Sequence, residues 1–265
     1  MNKGNLDFNV GLGTWGLQGE KLSNIVFMAL RMGYTHIDTA QAYNNIYNIY
    51  NGYQSSGIHR KNLHITYKIE PSILSNARFD LKNEIKSSGF DHFDNLTLHY
   101  PSSKKELYIC YKKLEQYKCE EQIGSWGVSN FSYYDILDCL NEGFLPQSNQ
   151  IEMHPFHFQN ELYQLCKENN ITPISYRPLG KGKFLNHKLL LDISQKYQLS
   201  PSEVILYWLF SRGYSCYVKA SSYHHLLKNF NSHSRVIDEN SLKLIDNLNS
   251  NISFCSWKKH AQLFK

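Results

Sequence analysis

The chain has 265 residues, 42% of them hydrophobic and 19% charged, with a formal net charge of +5. That length suits one α/β barrel of about 250 residues, no run approaches the roughly 18 uninterrupted apolar residues of a membrane span, and so mild a charge, with no basic tract interleaved with aromatics, argues against a nucleic-acid surface. Met1 to Asp7 lack the apolar core of a signal peptide, and the six cysteines show no Cys-x-x-Cys spacing, so a soluble, cytoplasmic protein with reduced thiols is expected.

Short apolar runs that finish on a polar residue alternate with amphipathic stretches along the whole chain. The first strand is expected near Val10 to Leu12, and the next at Thr35 to Asp38, His64 to Lys68, Asn95 to His99 and Gly124 to Ser129. Their ends recur about every 30 residues, the size of one strand plus one returning helix. Gln150 to Glu152, Ile171 to Tyr176 and Cys216 to Lys219 complete a set of eight.

Helical periodicity appears between the strands, as in Leu22, Ile25, Val26, Ala29 and Leu30, and in Leu107, Cys110, Tyr111 and Leu114. Ser132, Asn160 and Ser200 have the side chains of N-caps, the last followed by Pro201 and Glu203. Alternating strands and helices imply a parallel sheet, and eight units close most economically into a (β/α)8 TIM barrel. A doubly wound sheet competes, but Gly11-Leu12-Gly13-Thr14-Trp15-Gly16 opens no helix of the kind a dinucleotide fingerprint requires. A single domain over 1–265 is therefore expected, with 231–265 a C-terminal helix, Asn240 to Leu248, and a tail packed on the barrel.

Gly33 to Tyr43 reads Gly-Tyr-Thr-His-Ile-Asp-Thr-Ala-Gln-Ala-Tyr, and Tyr67-Lys68, Leu98-His99-Tyr100-Pro101, Gly127-Val128-Ser129-Asn130-Phe131 and Asn149-Gln150-Ile151-Glu152 follow in order. Over nearly its whole length the chain resembles the aldo-keto reductases, nicotinamide-dependent carbonyl reductases on a (β/α)8 barrel, and in its short loops the smaller bacterial members such as the diketogluconate reductases. The resemblance implies Asp38, Tyr43, Lys68 and His99 as catalytic residues, all at or just beyond strand C-termini, where barrel active sites lie. Reduction needs a proton for the carbonyl oxygen, and a free phenol with a pKa of about 10 is a poor donor. A neighbouring ammonium, itself fixed by a carboxylate, is expected to lower that pKa.

Ser129, Asn130 and Gln150 match the residues that hold the nicotinamide carboxamide, and Tyr176 the aromatic on which its ring stacks; Leu179 and Gly180 would pass the pyrophosphate. At the adenosine end, Val218-Lys219-Ala220-Ser221-Ser222-Tyr223-His224-His225 departs from the family pattern. His225 stands where an Arg grips the 2′-phosphate, which leaves that group to Lys219, with Ser221 and His225, while Asn229 is in its usual place. NADPH is the expected cofactor, with NADH open. Arg177 replaces a frequent Ser, and Glu70 replaces an aromatic residue at the substrate mouth. Trp15, Tyr67 and Tyr100 are the candidate pocket walls.

The resemblance therefore implies an NADPH-dependent reductase of aldehydes or ketones, a monomer acting on a small molecule. The competing reading, suggested by the altered adenosine segment, is an NADP-binding regulatory or interaction subunit with little turnover. His154 and His157 invite a metal site, but no third ligand lies at a recognisable spacing, so none is expected.

Overall fold

The structure is a computed structural model that describes residues 10–255; residues 1–9 and the end of the expected tail, 256–265, lie outside these residues. Eight parallel strands pair in chain order: β1 (Val10–Gly13), β2 (His36–Ala40), β3 (His64–Ile69), β4 (Phe93–Leu98), β5 (Ile123–Ser129), β6 (Ser148–Glu152), β7 (Thr172–Tyr176) and β8 (Ser215–Val218). β8 returns to β1 through the Val10–Cys216 and Leu12–Val218 registers, which closes the barrel. The (β/α)8 expectation is thus met, with strand ends within two or three residues of those read from the sequence.

Around the barrel run α1 (Gly19–Met32), α2 (Ile46–Ser56), α3 (Pro71–Leu74), α4 (Leu81–Ser88), α5 (Lys104–Cys119), α6 (Tyr133–Asn141), α7 (Asn160–Glu168), α8 (Lys188–Tyr197), α9 (Pro201–Ser211), α10 (Tyr223–Asn231) and α11 (Glu239–Asp246). Among the described residues no helix is long and apolar enough to cross a membrane. In α1 the stripe Leu22, Ile25, Val26, Ala29 and Leu30 is buried, as its period required, and each large side chain contributes about 1.5–3 kcal/mol by leaving water. The helix stops at Gly33, whose φ of 110° lets its N–H reach back to the carbonyls of Ala29 and Leu30.

Ser132 and Ser200 cap α6 and α9 in reciprocal capping boxes with Asp135 and Glu203. Asn160 does not cap α7: it is the first helical residue, and Gln159 holds the cap position without a side-chain bond. Ser222, not singled out in the sequence, caps α10 by accepting the His225 N–H.

The barrel axis is filled. The Tyr217 ring lies so close to Gly11 that a β-carbon there would sit 2.6 Å from it, so only glycine admits the ring. The Tyr217 hydroxyl reaches Thr66 at 2.9 Å. Beneath this plug, at the strand N-termini, His36 and His64 stack at 4.6 Å. Burial, reinforced by His36, lowers the His64 pKa from 6.5 to about 3. The unfolded chain therefore takes up a proton near pH 6.5 that folded His64 refuses until about pH 3. Stability should be complete above pH 6.5 and should fall by up to about 1.4 kcal/mol per pH unit as acid is added below it. Denaturant midpoints measured between about pH 7 and 5 should show this slope, and His64→Gln should reduce the pH dependence by one histidine's share. An equal slope in the variant would show that His64 is not its source.

After α11, which buries Leu242 and Ile245, the chain turns back over the loop that follows β6. The N–H groups of Ser250 and Ile252 both donate to the Phe156 carbonyl, at 3.3 and 3.0 Å. Asn249 exchanges hydrogen bonds with the Phe158 backbone. The tail is thus laid across the mouth side of the barrel.

Candidate active site

The C-terminal ends of β2, β3 and β4 bring Asp38, Lys68 and His99 together, and a single 3-10 turn after β2, Gln41–Tyr43, adds Tyr43. Both carboxylate oxygens of Asp38 accept from Lys68 Nζ at 2.5 Å. That pair is almost wholly buried, so breaking it from one side would strand a charge. Gln150 Nε2 donates to the same carboxylate at 2.8 Å. The ammonium stands 5.2 Å from the centre of the Tyr43 ring, and that ring meets His99 edge-on at 5.8 Å.

Three directions of pKa shift define the electrostatics. Burial pulls Lys68 down, but the Asp38 carboxylate and the Tyr43 phenol outweigh it and hold the lysine above its usual range, so it is charged. Burial and the nearby ammonium together depress His99 to about 3, so its imidazole is neutral at physiological pH. Tyr43 corrects the sequence expectation. Burial raises the phenol, Lys68 lowers it, Asp38 raises it again, and the net direction is upward. The phenol stays protonated, and the ammonium counters only part of what burial and Asp38 impose.

Beside these four, the ends of β5, β6 and β7 gather amide and hydroxyl groups. Ser129 Oγ donates to the Gln150 carbonyl at 2.8 Å, Asn130 Nδ2 donates to the His99 carbonyl at 2.9 Å, and the Tyr176 hydroxyl donates to Asn130 Oδ1 at 2.6 Å. Asn130 takes a left-handed φ of 64°, a conformation its short polar side chain tolerates. Leu179 precedes a tight turn that begins at buried Gly180, φ 52°. Arg177 Cζ stands 5.5 Å from the Trp15 ring and 5.7 Å from the Tyr176 ring, and Lys219 Nζ stands 5.8 Å from the Trp15 ring. Ser221, by contrast, lines a shallow cavity with Glu20, Lys21 and Asn24. His225 is exposed in the first turn of α10, and Asn229 is buried further along it.

Residues 9–250 match the model of the Aldo/keto reductase family. The chain belongs to that family. It is 31% identical over 249 residues to the 9,11-endoperoxide prostaglandin H2 reductase of Trypanosoma cruzi, covering 91% of this chain and 87% of that protein. Against the methylglyoxal reductase DkgA of Escherichia coli it is 28% identical, covering 91% and 90%. Among solved structures, an aldo-keto reductase from a Medee basin deep-sea metagenome library superposes with a TM-score of 0.89 at 25% identity, over 94% of both chains. The aldose reductase of Giardia lamblia gives 0.86 at 26%, covering 94% and 95%. The protein is thus an oxidoreductase of a family whose members act on carbonyl compounds and generally use nicotinamide cofactors.

The pocket walls of this aldo-keto reductase divide. Trp15 is 55% exposed at the mouth, with both cations within 6 Å of its ring. Tyr100 lines a cleft of about 1600 Å³ that runs from Asn130 and Tyr176 outward between α5 and α6, and its hydroxyl donates to Glu70 at 2.9 Å. Tyr43, Lys68 and His99 are not among the residues that line that cleft. Tyr67 is not a wall: its ring stacks on Phe93 at 4.3 Å, its hydroxyl donates to Glu84 on α4, and it is buried beneath the helices.

Sequence reasoning missed Asn45. Its side chain accepts from Thr39 Oγ1 at 2.7 Å and donates to the Thr14 and Leu17 carbonyls at 3.2 and 3.1 Å. It joins the turn that carries Tyr43 to the loop that carries Trp15. No local pattern marks such a role, since the two carbonyl partners lie about thirty residues away.

Proposed function

We propose that the protein reduces an aldehyde or ketone to an alcohol with NADPH, and that Tyr43 donates the proton. The observation that carries this reading is the buried Lys68 ammonium, gripped by both oxygens of Asp38 and placed against the Tyr43 ring. The donor set fits the cofactor. Amide and hydroxyl groups of Ser129, Asn130 and Gln150 cluster beside Tyr176, as a carboxamide requires, and two cations, Arg177 and Lys219, stand within 6 Å of the Trp15 ring, where they could meet phosphates. NADPH would supply the hydride to the carbonyl carbon.

This chain's own residues then handle the oxygen. His99, neutral, offers its ring to the carbonyl and orients it. As negative charge develops there, the Tyr43 O–H bond breaks and its proton moves to the oxygen, and the Lys68 ammonium stabilises the phenolate left behind. Asp38 holds that ammonium in place and keeps it charged. A neutral His99 leaves the formal positive charge on Lys68, where the phenolate forms.

The test is NADPH oxidation against a panel of aldehydes, α-keto esters and sugar-derived ketones. Turnover of at least one member, abolished in Tyr43→Phe, is expected. Tight NADPH binding with no oxidation across the panel would sink the reading in favour of a non-catalytic subunit. For the cofactor itself, Lys219→Ala should weaken NADPH far more than NADH. His225→Arg should tighten NADPH relative to NADH, since a permanent charge there would meet the 2′-phosphate. An unchanged ratio of dissociation constants would remove His225 from the site.

A further inference from the structure

Glu152, the last residue of β6, has no part in the chemistry above, yet its carboxylate is buried at 4% exposure. Its partners come from a segment a hundred residues away. Ser253 Oγ donates to Oε2 at 2.5 Å, the Phe254 N–H to Oε1 at 2.9 Å, and the Cys255 N–H to Oε2 at 3.0 Å. His154 Nε2 lies 3.5 Å away on the other side. A carboxylate is an acceptor-only group with room for about four donors, and charge-assisted bonds of this kind are about twice as strong as neutral ones.

The clasped segment lies against the candidate cofactor residues. Cys255 Sγ is 3.8 Å from Asn130 Oδ1, the atom that accepts the Tyr176 hydroxyl. Arg177 Nη1 donates to the Phe254 carbonyl at 3.2 Å, so the same segment steadies the guanidinium that stands over Trp15 and Tyr176. The Phe254 ring packs 5.4 Å from Phe184 and 6.0 Å from His154. A β-carbon on Gly180 would meet Phe184 at 2.7 Å and Phe254 at 3.3 Å, so the turn of Leu179 and Gly180 lies against the strap as well.

We propose that Glu152 is a positioning residue: its carboxylate clasps the backbone of residues 253–255 and so holds the C-terminal strap against Asn130, Tyr176 and Arg177, setting the wall of the substrate mouth. Burial alone would raise the Glu152 pKa, but nearby His154 and the bonds from Ser253 and the Phe254 N–H outweigh it and hold the acid at about 2, so the clasp stays charged at any working pH. The proposal rests on reading Asn130 and Tyr176 as cofactor-binding residues, and its test has an arm that needs no turnover.

Cys255 is the natural reporter, because Cys110, Cys139, Cys166 and Cys216 are buried and exposed Cys119 serves as the internal reference. In Glu152→Gln the amide NH₂ faces backbone N–H groups, and the strap should lift. Alkylation of Cys255 by iodoacetamide, measured relative to Cys119 by mass spectrometry of the full chain, should rise about tenfold. KM for the best carbonyl substrate should rise by a similar factor, with kcat changed less. Ser253→Ala, which removes one bond and leaves the carboxylate its backbone donors, should show the same changes at about threefold. In the double variant the effects should fall short of their product, since both act on one clasp.

Unchanged Cys255 reactivity in folded Glu152→Gln would overturn the proposal; if that variant does not fold, unchanged reactivity in Ser253→Ala would do so. Raised reactivity with KM for carbonyls and the cofactor dissociation constant both unaltered would overturn it too, by showing a strap that does not border the site. Raised reactivity and a weakened cofactor in a protein that reduces no carbonyl would uphold the clasp and refute the enzymatic reading.

Discussion

Tyr43→Phe should lower kcat by about 10² to 10⁴, the range expected when a general acid is lost, while the NADPH dissociation constant stays within about twofold of the wild type. The substitution removes one hydroxyl and keeps the ring that packs edge-on against His99, so neither the fold nor the mouth changes shape. Because burial holds the phenol pKa above its ordinary value, the wild-type acid is present in protonated form across the neutral range. The pH profile of kcat should then be flat there and should decline only toward the alkaline side. Single-turnover measurement with a saturating substrate separates the chemical step from product release. Near-normal turnover in the variant would remove Tyr43 from the reaction.

Lys68→Met should be almost as damaging, again by about 10² or more in kcat, for a different reason. Without the ammonium, burial and the Asp38 charge both disfavour phenolate, and nothing remains to receive the negative charge that Tyr43 must carry. Their losses should not multiply, since the two residues act as one unit; the double variant should resemble the worse single one. Lys68→Met also leaves Asp38 with Gln150 as its remaining side-chain partner. Removing one side of a buried ion pair costs about 3–5 kcal/mol, so thermal denaturation should show a lower midpoint, and kinetics must be read well below it. A double variant whose loss equals the product of the single losses would dissolve the proposed unit.

The barrel and the four-residue constellation were legible because each strand advertises its mouth end: an apolar run stops on Asp38, Lys68 or His99, and parallel strands aim such residues at one place. The placing of Tyr67 at the mouth failed on a rule already available. Successive side chains on a strand face opposite ways, so a residue adjacent to inward Lys68 must face the helices, as its contact with Glu84 on α4 shows. The acidity of Tyr43 was misjudged because the neighbouring charge was visible in the sequence and the depth of burial was not. Asn45 and Glu152 left no trace, since most of their partners lie about thirty and a hundred residues distant. His225 and Ser221 were placed by resemblance alone; the His225 ring stands 6.3 Å from that of its neighbour His224, and Ser221 lines a cavity with Glu20, Lys21 and Asn24.

The ring of Tyr217, seated over Gly11 and tied to Thr66, has a further consequence for traffic. Thr66 lies two residues below Lys68 on the same strand, so the plug forms a floor under the reacting groups. On the proposed chemistry, each turnover strips Tyr43 of a proton that must be replaced before the next. With the floor in place, that proton arrives by the doorway that admits cofactor and substrate. Recharging the acid is therefore tied to departure of the product, and a reductase corked in this way resets only by opening.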